Sequence, residues 1–200
     1  MQIVIATRNP GKFREISRII AHPSLELLSL ADLPGAPAVE EDGETFEDNA
    51  LLKARSAAYH AGGWALADDS GLVVPALDGA PGIRSARFAG KGASDADNVN
   101  KVLELLREIP DGRRQAEFVC CIALAGTNNR AFVTEGRLAG TIAREPRGSN
   151  GFGYDPVFLL PEVGMTFAEL TLEQKDRLSH RGRAMRAARE ILQAFLAQEP

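Results

Sequence analysis

Gln2 to Thr7 is a short, apolar, β-branched run, the pattern of a buried strand. A turn follows at Asn9-Pro10-Gly11, and from Gly11 to Ala21 the residues Phe13, Ile16, Ile19 and Ile20 recur at helical spacing. Leu25 to Leu30 reads as a second strand, and residues 32 to 44 as a Pro/Gly-rich, then acidic, loop. Thr45 with Asp48 three residues on resembles a capping box, which starts a helix running to about Ala61, where Gly62-Gly63 stops it. Trp64 to Ala67 is a short strand ending in Asp68-Asp69-Ser70-Gly71, and Leu72 to Leu77 continues as another strand. After a Gly-rich loop over 78 to 93, Ser94 caps a helix from Asp95 to about Arg107. Gln115 to Ala125 and Arg130 to Leu138 read as long paired strands around a turn at Thr127-Asn128-Asn129. Val157 to Leu160 is a further strand. A short helix near Leu172 to Leu178 and a longer one from about His180 to Ala197 complete the chain. Strands and helices intermix, yet one long pair is antiparallel, so the pattern predicts an α/β fold with a mixed sheet.

The 200 residues suit one domain or one core with two lobes, and 44% hydrophobic with 25% charged residues is an ordinary globular balance. A net charge of −4 argues against nucleic acid as the main partner, which needs a basic footprint, but not against a small anion. Cys120 and Cys121 are adjacent in a strand and point to opposite faces, so they read as two buried thiols in a reducing cytoplasm rather than a bridge or a zinc site. The sequence shows no signal-peptide pattern and no apolar run near the roughly 20 residues that span a bilayer, so no membrane partner is expected.

Four clusters carry candidate chemistry. In Thr7-Arg8-Asn9-Pro10-Gly11-Lys12 a strand enters a tight turn and a helix starts at once. Backbone N–H groups at that start, with the helix dipole, suit a phosphate. Lys12 adds a point charge, and Asn9 and Thr7 add hydrogen bonds. The stretch is no P-loop, because the glycine spacing is wrong and Phe13 replaces the Ser/Thr after the lysine. An ordinary βα turn explains it equally well. The second cluster is carboxylate-rich: Glu40-Glu41-Asp42-Gly43-Glu44 and Asp68-Asp69. Mg²⁺ takes oxygen ligands and prefers few carboxylates plus phosphates and waters, so one Glu and one Asp suffice once substrate is present. An Asp there can also accept a proton from the attacking water. The alternatives are a solvated acidic loop and a common Asp-Ser-Gly turn. In the third, Phe152-Gly153-Tyr154-Asp155, two aromatics could wall a base slot or simply be core. In the fourth, Lys175 and Ser179-His180-Arg181-Gly182-Arg183 could hold a phosphate or a purine oxygen, or form a basic surface. Arg84, Arg87 and Lys91 read as loop charges. No nucleophile is evident: His22, His60 and His180 lack a suitable setting, and the two cysteines lack a base.

Taken in order, Thr7-x-Asn9-x-x-Lys12, Glu40-Glu41-x-Gly43-x-Thr45-Phe46, Ala67-Asp68-Asp69-Ser70-Gly71, Gly79-Ala80-Pro81-Gly82-Ile83-x-Ser85-Ala86-Arg87, Gly151-Phe152-Gly153-Tyr154-Asp155-Pro156 and Ser179-His180-Arg181-Gly182 resemble the inosine/xanthosine triphosphate pyrophosphatase family. The resemblance spans nearly the whole chain. It implies a single NTP pyrophosphatase domain over residues 1–200, with an elongated, curved mixed β-sheet flanked by helices and two lobes around a nucleotide-binding cleft. It implies a cytoplasmic homodimer that uses Mg²⁺ to hydrolyse dITP, ITP and XTP to the monophosphate and pyrophosphate, which keeps them out of DNA and RNA. Carried over by position, Thr7, Arg8, Asn9, Pro10, Gly11 and Lys12 bind the triphosphate. Asp69 is the proton acceptor and a metal ligand, and Ser70 touches substrate. Glu40, with Glu41 as its rival, is the second metal ligand. Phe152, Gly153, Tyr154, Asp155, Lys175, His180 and Arg181 hold base and phosphates, with His180 or Arg181 donating to the 6-oxo group. Arg8 departs from the family's small residue and is either a phosphate contact or a solvent-facing side chain. A pyrophosphatase for pyrimidine or methylated nucleotides and a non-catalytic nucleotide-binding regulator are the alternative readings.

Overall fold

The computed structural model describes residues 1–196. In chain order the elements are β1 (Gln2–Ile5), α1 (Pro10–Ile20), β2 (Glu26–Ser29), α2 (Phe46–Ala61), β3 (Trp64–Val73), α3 (Asp95–Leu105), β4 (Gln115–Gly126), β5 (Ala131–Ile142), β6 (Phe158–Leu160), β7 (Met165–Thr166), α4 (Leu172–Leu178) and α5 (His180–Leu196). Seven strands form one sheet in the order β2-β1-β3-β4-β5-β6-β7. β1 runs parallel to both β2 and β3, whereas β5–β6 and β6–β7 are antiparallel, so the sheet is mixed as expected. The predicted end of the last helix, Ala197, lies outside the described residues.

One expectation fails at an informative place. Asp68-Asp69-Ser70-Gly71 is not a turn between two strands. It lies inside the continuous ten-residue strand β3, with Asp68 and Asp69 only 2% and 6% exposed. Locally the quartet carries turn residues, but partners from distant helices neutralise the acids and let the strand run on. Residues 75–77 form a short 3₁₀ turn rather than strand, and β7 has too few residues to leave a periodic signal.

The chain divides into two compact units. The first comprises Met1–Asp69, Cys120–Gly136 and His180–Pro200. Its strands alternate strictly. Ile3, Ile5, Leu66, Cys120, Ile122 and Leu124 pack with Ile16 and Ile20 of α1 and Met185 and Leu192 of α5. Val4, Ala6, Ala65, Ala67, Cys121 and Ala123 face Ala50, Ala54, Ala57 and Ala58 of α2. The two thiols thus fall on opposite faces, as the period of two requires. Small side chains on both partners let α2 lie close to the sheet. Thr45 and Asp48 close the expected capping box, and Gly62 ends the helix.

α5 approaches β5 more closely still. A Cβ on Gly136 would collide with the carbonyl oxygen of His180 and lie 2.6 Å from the backbone nitrogen of Ala184. Thr134 Oγ1 donates to the Ala184 carbonyl at 2.9 Å and fixes the same turn. Gly136→Ala should therefore cost about 1–3 kcal/mol through overpacking, read as a lower urea midpoint. An unchanged midpoint would mean that α5 slides at no cost.

The second unit comprises Ser70–Val119 and Arg137–Ser179. Its core joins Leu72, Val74, Val99, Val102, Leu138 and Val157 to a cluster of phenylalanines. Phe118 stacks on Phe158 at 4.1 Å, and Phe167 meets both rings at 5.8 Å. Buried Arg114 donates to the carbonyls of Leu106, just past α3, and of Ile142 and Ala143 at the end of β5, and so ties the two ends together.

Candidate active site

In the first unit β1 delivers Thr7, and Asn9 caps α1. Asn9 Oδ1 accepts from the N–H groups of Gly11 at 2.8 Å and Lys12 at 3.1 Å, while Asn9 N–H donates to Thr7 Oγ1 at 3.2 Å. This corrects the expectation that those helix N–H groups stand open for a phosphate: the cap residue already satisfies two of them. Pro10 has no N–H to give and sets the first helical turn. What the turn presents is the cation of Lys12, whose Nζ lies 2.9 Å from Asp68 Oδ2. Arg8 neither points to solvent alone nor is uncommitted: its Nη2 donates to the Ala36 carbonyl at 2.9 Å and ties the turn to the loop that leads into the acidic residues.

That loop is fixed where it meets α2. Gly43 N–H donates to Asn49 Oδ1 at 2.9 Å, and a Cβ on Gly43 would lie 2.6 Å from Asp48 Cβ. Two residues earlier, Glu41 Oε1 accepts from Lys53 Nζ at 2.7 Å. The same ammonium lies 2.7 Å from Asp69 Oδ1. Glu41 and Asp69 therefore converge on one cationic point. Glu40 is exposed, so the structure brings Glu41, not the first-choice Glu40, to Asp69.

Asp68 and Asp69 are adjacent but chemically opposite. Burial works to raise the Asp68 carboxyl, yet Lys12, Arg181 and Lys53 outweigh it and hold it well below the usual carboxylate range. Asp69 goes the other way: burial and the like charge of Glu41 raise it despite Lys53 and Lys12. Lys53 is raised, because the three carboxylates around it outweigh its own burial. Asp68 is thus a fixed anion, and Asp69 is the better proton acceptor. Arg181, 4% exposed, donates from Nη1 to Glu15 Oε2 at 2.5 Å and lies 3.4 Å from Asp68 Oδ2 through Nε. His180 beside it is also buried, so this pair is no surface patch.

In the second unit Ser70 follows Asp69 along β3 and is half-buried. The turn Gly151–Asp155 is held from several sides. Asp155 Oδ2 accepts from Phe152 N–H at 3.1 Å and from the buried Lys175 ammonium. Gly153 N–H donates to Asp95 Oδ2 at 2.7 Å. The Lys175 ammonium sits 5.9 Å from the centre of the half-buried Phe152 ring. Tyr154 does not offer a stacking face. Its ring is core, and its hydroxyl donates to the Ser85 carbonyl at 2.8 Å. Burial raises that hydroxyl's pKa, with Asp95 adding to the effect, so it stays a donor.

Lys53, Glu15, Asp95 and Ser85 escaped the reading of the sequence. Two of them left a signal. Lys53 stands three residues after Ala50 and four before Ala57, on the buried alanine face of α2, and Glu15 stands three after Lys12 on α1. Asp95 and Ser85 meet their partners only through tertiary folding.

Among the described residues no group of three His, Cys, Asp or Glu side chains is arranged to hold a metal ion. The donor set nevertheless fits a hard divalent cation. The carboxylates of Glu41 and Asp69 both reach the Lys53 ammonium at 2.7 Å, so they lie close enough to share one cation, and Mg²⁺ ordinarily takes few protein oxygens and completes its shell with phosphates and water. The thiols contribute nothing: burial raises both, Cys121 to about 12. No helix among the described residues is long and apolar enough to cross a membrane.

Comparison with known proteins agrees with this chemistry. The chain is 48% identical over 200 residues to the dITP/XTP pyrophosphatase of Desulforamulus reducens, covering 100% of both chains. It is 52% identical over 191 residues to the dITP/XTP pyrophosphatase of Geobacter sulfurreducens, covering 96% of each. The solved structure of a HAM1 protein from Coxiella burnetii superimposes with a TM-score of 0.90 at 43% identity, over 97% of this chain and 99% of that one. The Ham1 family profile matches residues 3–191, and the chain belongs to the Ham1 family.

Proposed function

We infer that this chain is a nucleoside-triphosphate pyrophosphatase that hydrolyses non-standard purine nucleotides, dITP, ITP and XTP, to the monophosphate and pyrophosphate. The observation that carries the reading is the Glu41–Lys53–Asp69 constellation beside the Lys12–Asp68 pair, in a chain whose full-length relatives bear the name dITP/XTP pyrophosphatase. Phosphoryl-transfer sites work by positioning and electrostatics, and these residues supply both.

Each residue has a role that its surroundings support. Lys12 meets the phosphates, and the Thr7-Arg8-Asn9-Pro10-Gly11 turn, closed on itself by Asn9, fixes where Lys12 stands. Asp68, an anion at any working pH, keeps Lys12 and Arg181 in place. Asp69 takes the proton of the water that attacks the α-phosphorus, and Lys53 orients its carboxylate. Asp69 and Glu41, with Glu40 nearby in sequence, would hold Mg²⁺, which would supply neutralisation of phosphate charge and polarisation of water. Phe152 provides an apolar face for the base, and Gly153, the Asp155–Lys175 pair, Ser70 and His180 provide polar contacts. Arg181 holds Glu15 through Nη1 and faces Asp68 through Nε, and it serves the site by fixing these carboxylates. Both units act as one pyrophosphatase domain, in keeping with a family match that runs through both. The reading includes a homodimer in the cytoplasm, where two unbridged thiols are stable.

Pyrophosphate release from dITP, XTP, GTP, ATP and dTTP, with Mg²⁺ and with chelator, tests the reading. Release from dITP and XTP, weak release from GTP and ATP, and loss with chelator are expected. A site built around the 6-oxo group leaves donors unpaired against adenine, which discriminates strongly. Hydrolysis of dTTP but not dITP would overturn the substrate class.

A further inference from the structure

Asp95 opens α3, yet the helix start does not need its carboxylate. Ser94 is the cap, its hydroxyl accepts from Asp97 N–H, and the Asp97 carboxylate returns to Ser94 N–H at 2.9 Å. The capping box is complete without Asp95. Its carboxylate instead accepts the N–H of Gly153 at 2.7 Å, across 58 residues of sequence. Gly153 sits at φ +61°, in the middle of the turn that carries both Phe152 and Asp155. The support behind Asp95 is rigid. Asn98 holds Ala89 N–H at 2.7 Å and the Ala86 carbonyl at 3.3 Å, and Lys101 donates to the Phe88 carbonyl at 2.7 Å. The segment so anchored carries Ser85, whose carbonyl receives the Tyr154 hydroxyl. α3 and the 82–89 segment therefore grip the turn at two successive residues, Gly153 and Tyr154.

We propose that Asp95 is a positioning residue for nucleobase recognition: by holding the Gly153 peptide it sets the pose of the Phe152 ring and of the Asp155–Lys175 pair. The proposal rests on the reading that this turn meets the base. It acts through binding of the base and not through the reaction at phosphorus, so it should move KM and leave kcat nearly alone.

Steady-state kinetics with XTP and dITP on four variants test it. Loss of one charge-assisted hydrogen bond predicts that Asp95→Ala raises KM about tenfold, with kcat within about twofold of the parent. Asp95→Asn should rescue KM, because its amide oxygen accepts the same N–H. Asp97→Ala breaks the capping box without touching Gly153, so it should lower the melting temperature and leave KM unchanged. Phe152→Ala should raise KM by itself. If Phe152→Ala raises KM and Asp95→Ala does not, the proposal fails and the base-site reading stands. If neither moves KM, both fail. Asp95→Asn behaving like Asp95→Ala, or Asp97→Ala raising KM as much as Asp95→Ala, would equally overturn the positioning role.

Discussion

Replacing Asp69 with Asn should lower kcat for dITP by about three orders of magnitude, near the middle of what a positioned general base supplies. The melting temperature should stay close to the parent value. Asn has the same shape, and Lys53 keeps Glu41 as a 2.7 Å partner, so no buried ammonium is stranded. The change therefore removes a proton acceptor and one anionic ligand for the metal while leaving the packing in place. Its neighbour is the natural control. Asp68 is equally buried, but Lys12 and Arg181 hold its proton affinity too low for it to take a proton from water. Asp68 cannot substitute for Asp69, although the two are adjacent in the chain. Turnover of Asp69→Asn near the parent rate would remove Asp69 from the chemistry. Circular dichroism and the melting midpoint of the same preparation show whether the fold survived.

Arg181→Met should destabilise the protein by about 3–5 kcal/mol, the usual cost of breaking a buried ion pair by removing one partner. The guanidinium bridges Glu15 of α1 and Asp68 of β3, and all three side chains are largely withdrawn from water. Met fills much of the same volume, so cavity formation adds little. What remains is carboxylate charge with fewer partners: Asp68 retains Lys12, whereas Glu15 loses the cation 2.5 Å away. For a chain of this size the melting temperature should fall by about 10 °C. Pairing the change with Glu15→Gln separates the bridge from packing. The double variant should lose less than the sum of the two single losses, since the same interaction is removed twice. Strict additivity, or a single-variant loss below about 1 kcal/mol, would mean the contact contributes little beyond an exposed ion pair.

Much of this molecule is legible in the chain itself, for local reasons. The β1–turn–α1 unit follows from an apolar run, Asn9-Pro10-Gly11 and a helical repeat, since both signals lie within a few residues. Thr45 with Asp48 and Ser94 with Asp97 form the capping boxes that their spacing announces. The opposite orientation of Cys120 and Cys121 follows from the period of a strand. The Ham1 motifs stood in order, so the family could be recognised before any coordinate.

Other features depend on partners that sequence does not rank. Asp68-Asp69-Ser70-Gly71 carries turn residues, and nothing local shows that it runs straight through the sheet. It does so because Lys12, Lys53 and Arg181 arrive from three helices, the last of them 113 residues away from Asp68. Adjacent Glu40 and Glu41 are indistinguishable as letters, and only their tertiary partners tell them apart: Lys53 pairs with Glu41 and Asp69 together, while Glu40 is exposed. By its letters Tyr154 could wall a base or belong to the core, and its place in the core with its hydroxyl on the Ser85 carbonyl decides for the core. The sequence by itself determined the local elements, their caps and the inventory of charges, because those depend on neighbours along the chain. The tertiary structure alone decided which charges meet, and therefore which carboxylate is an anchor and which can take a proton, because burial and pairing are set by residues far apart in the chain.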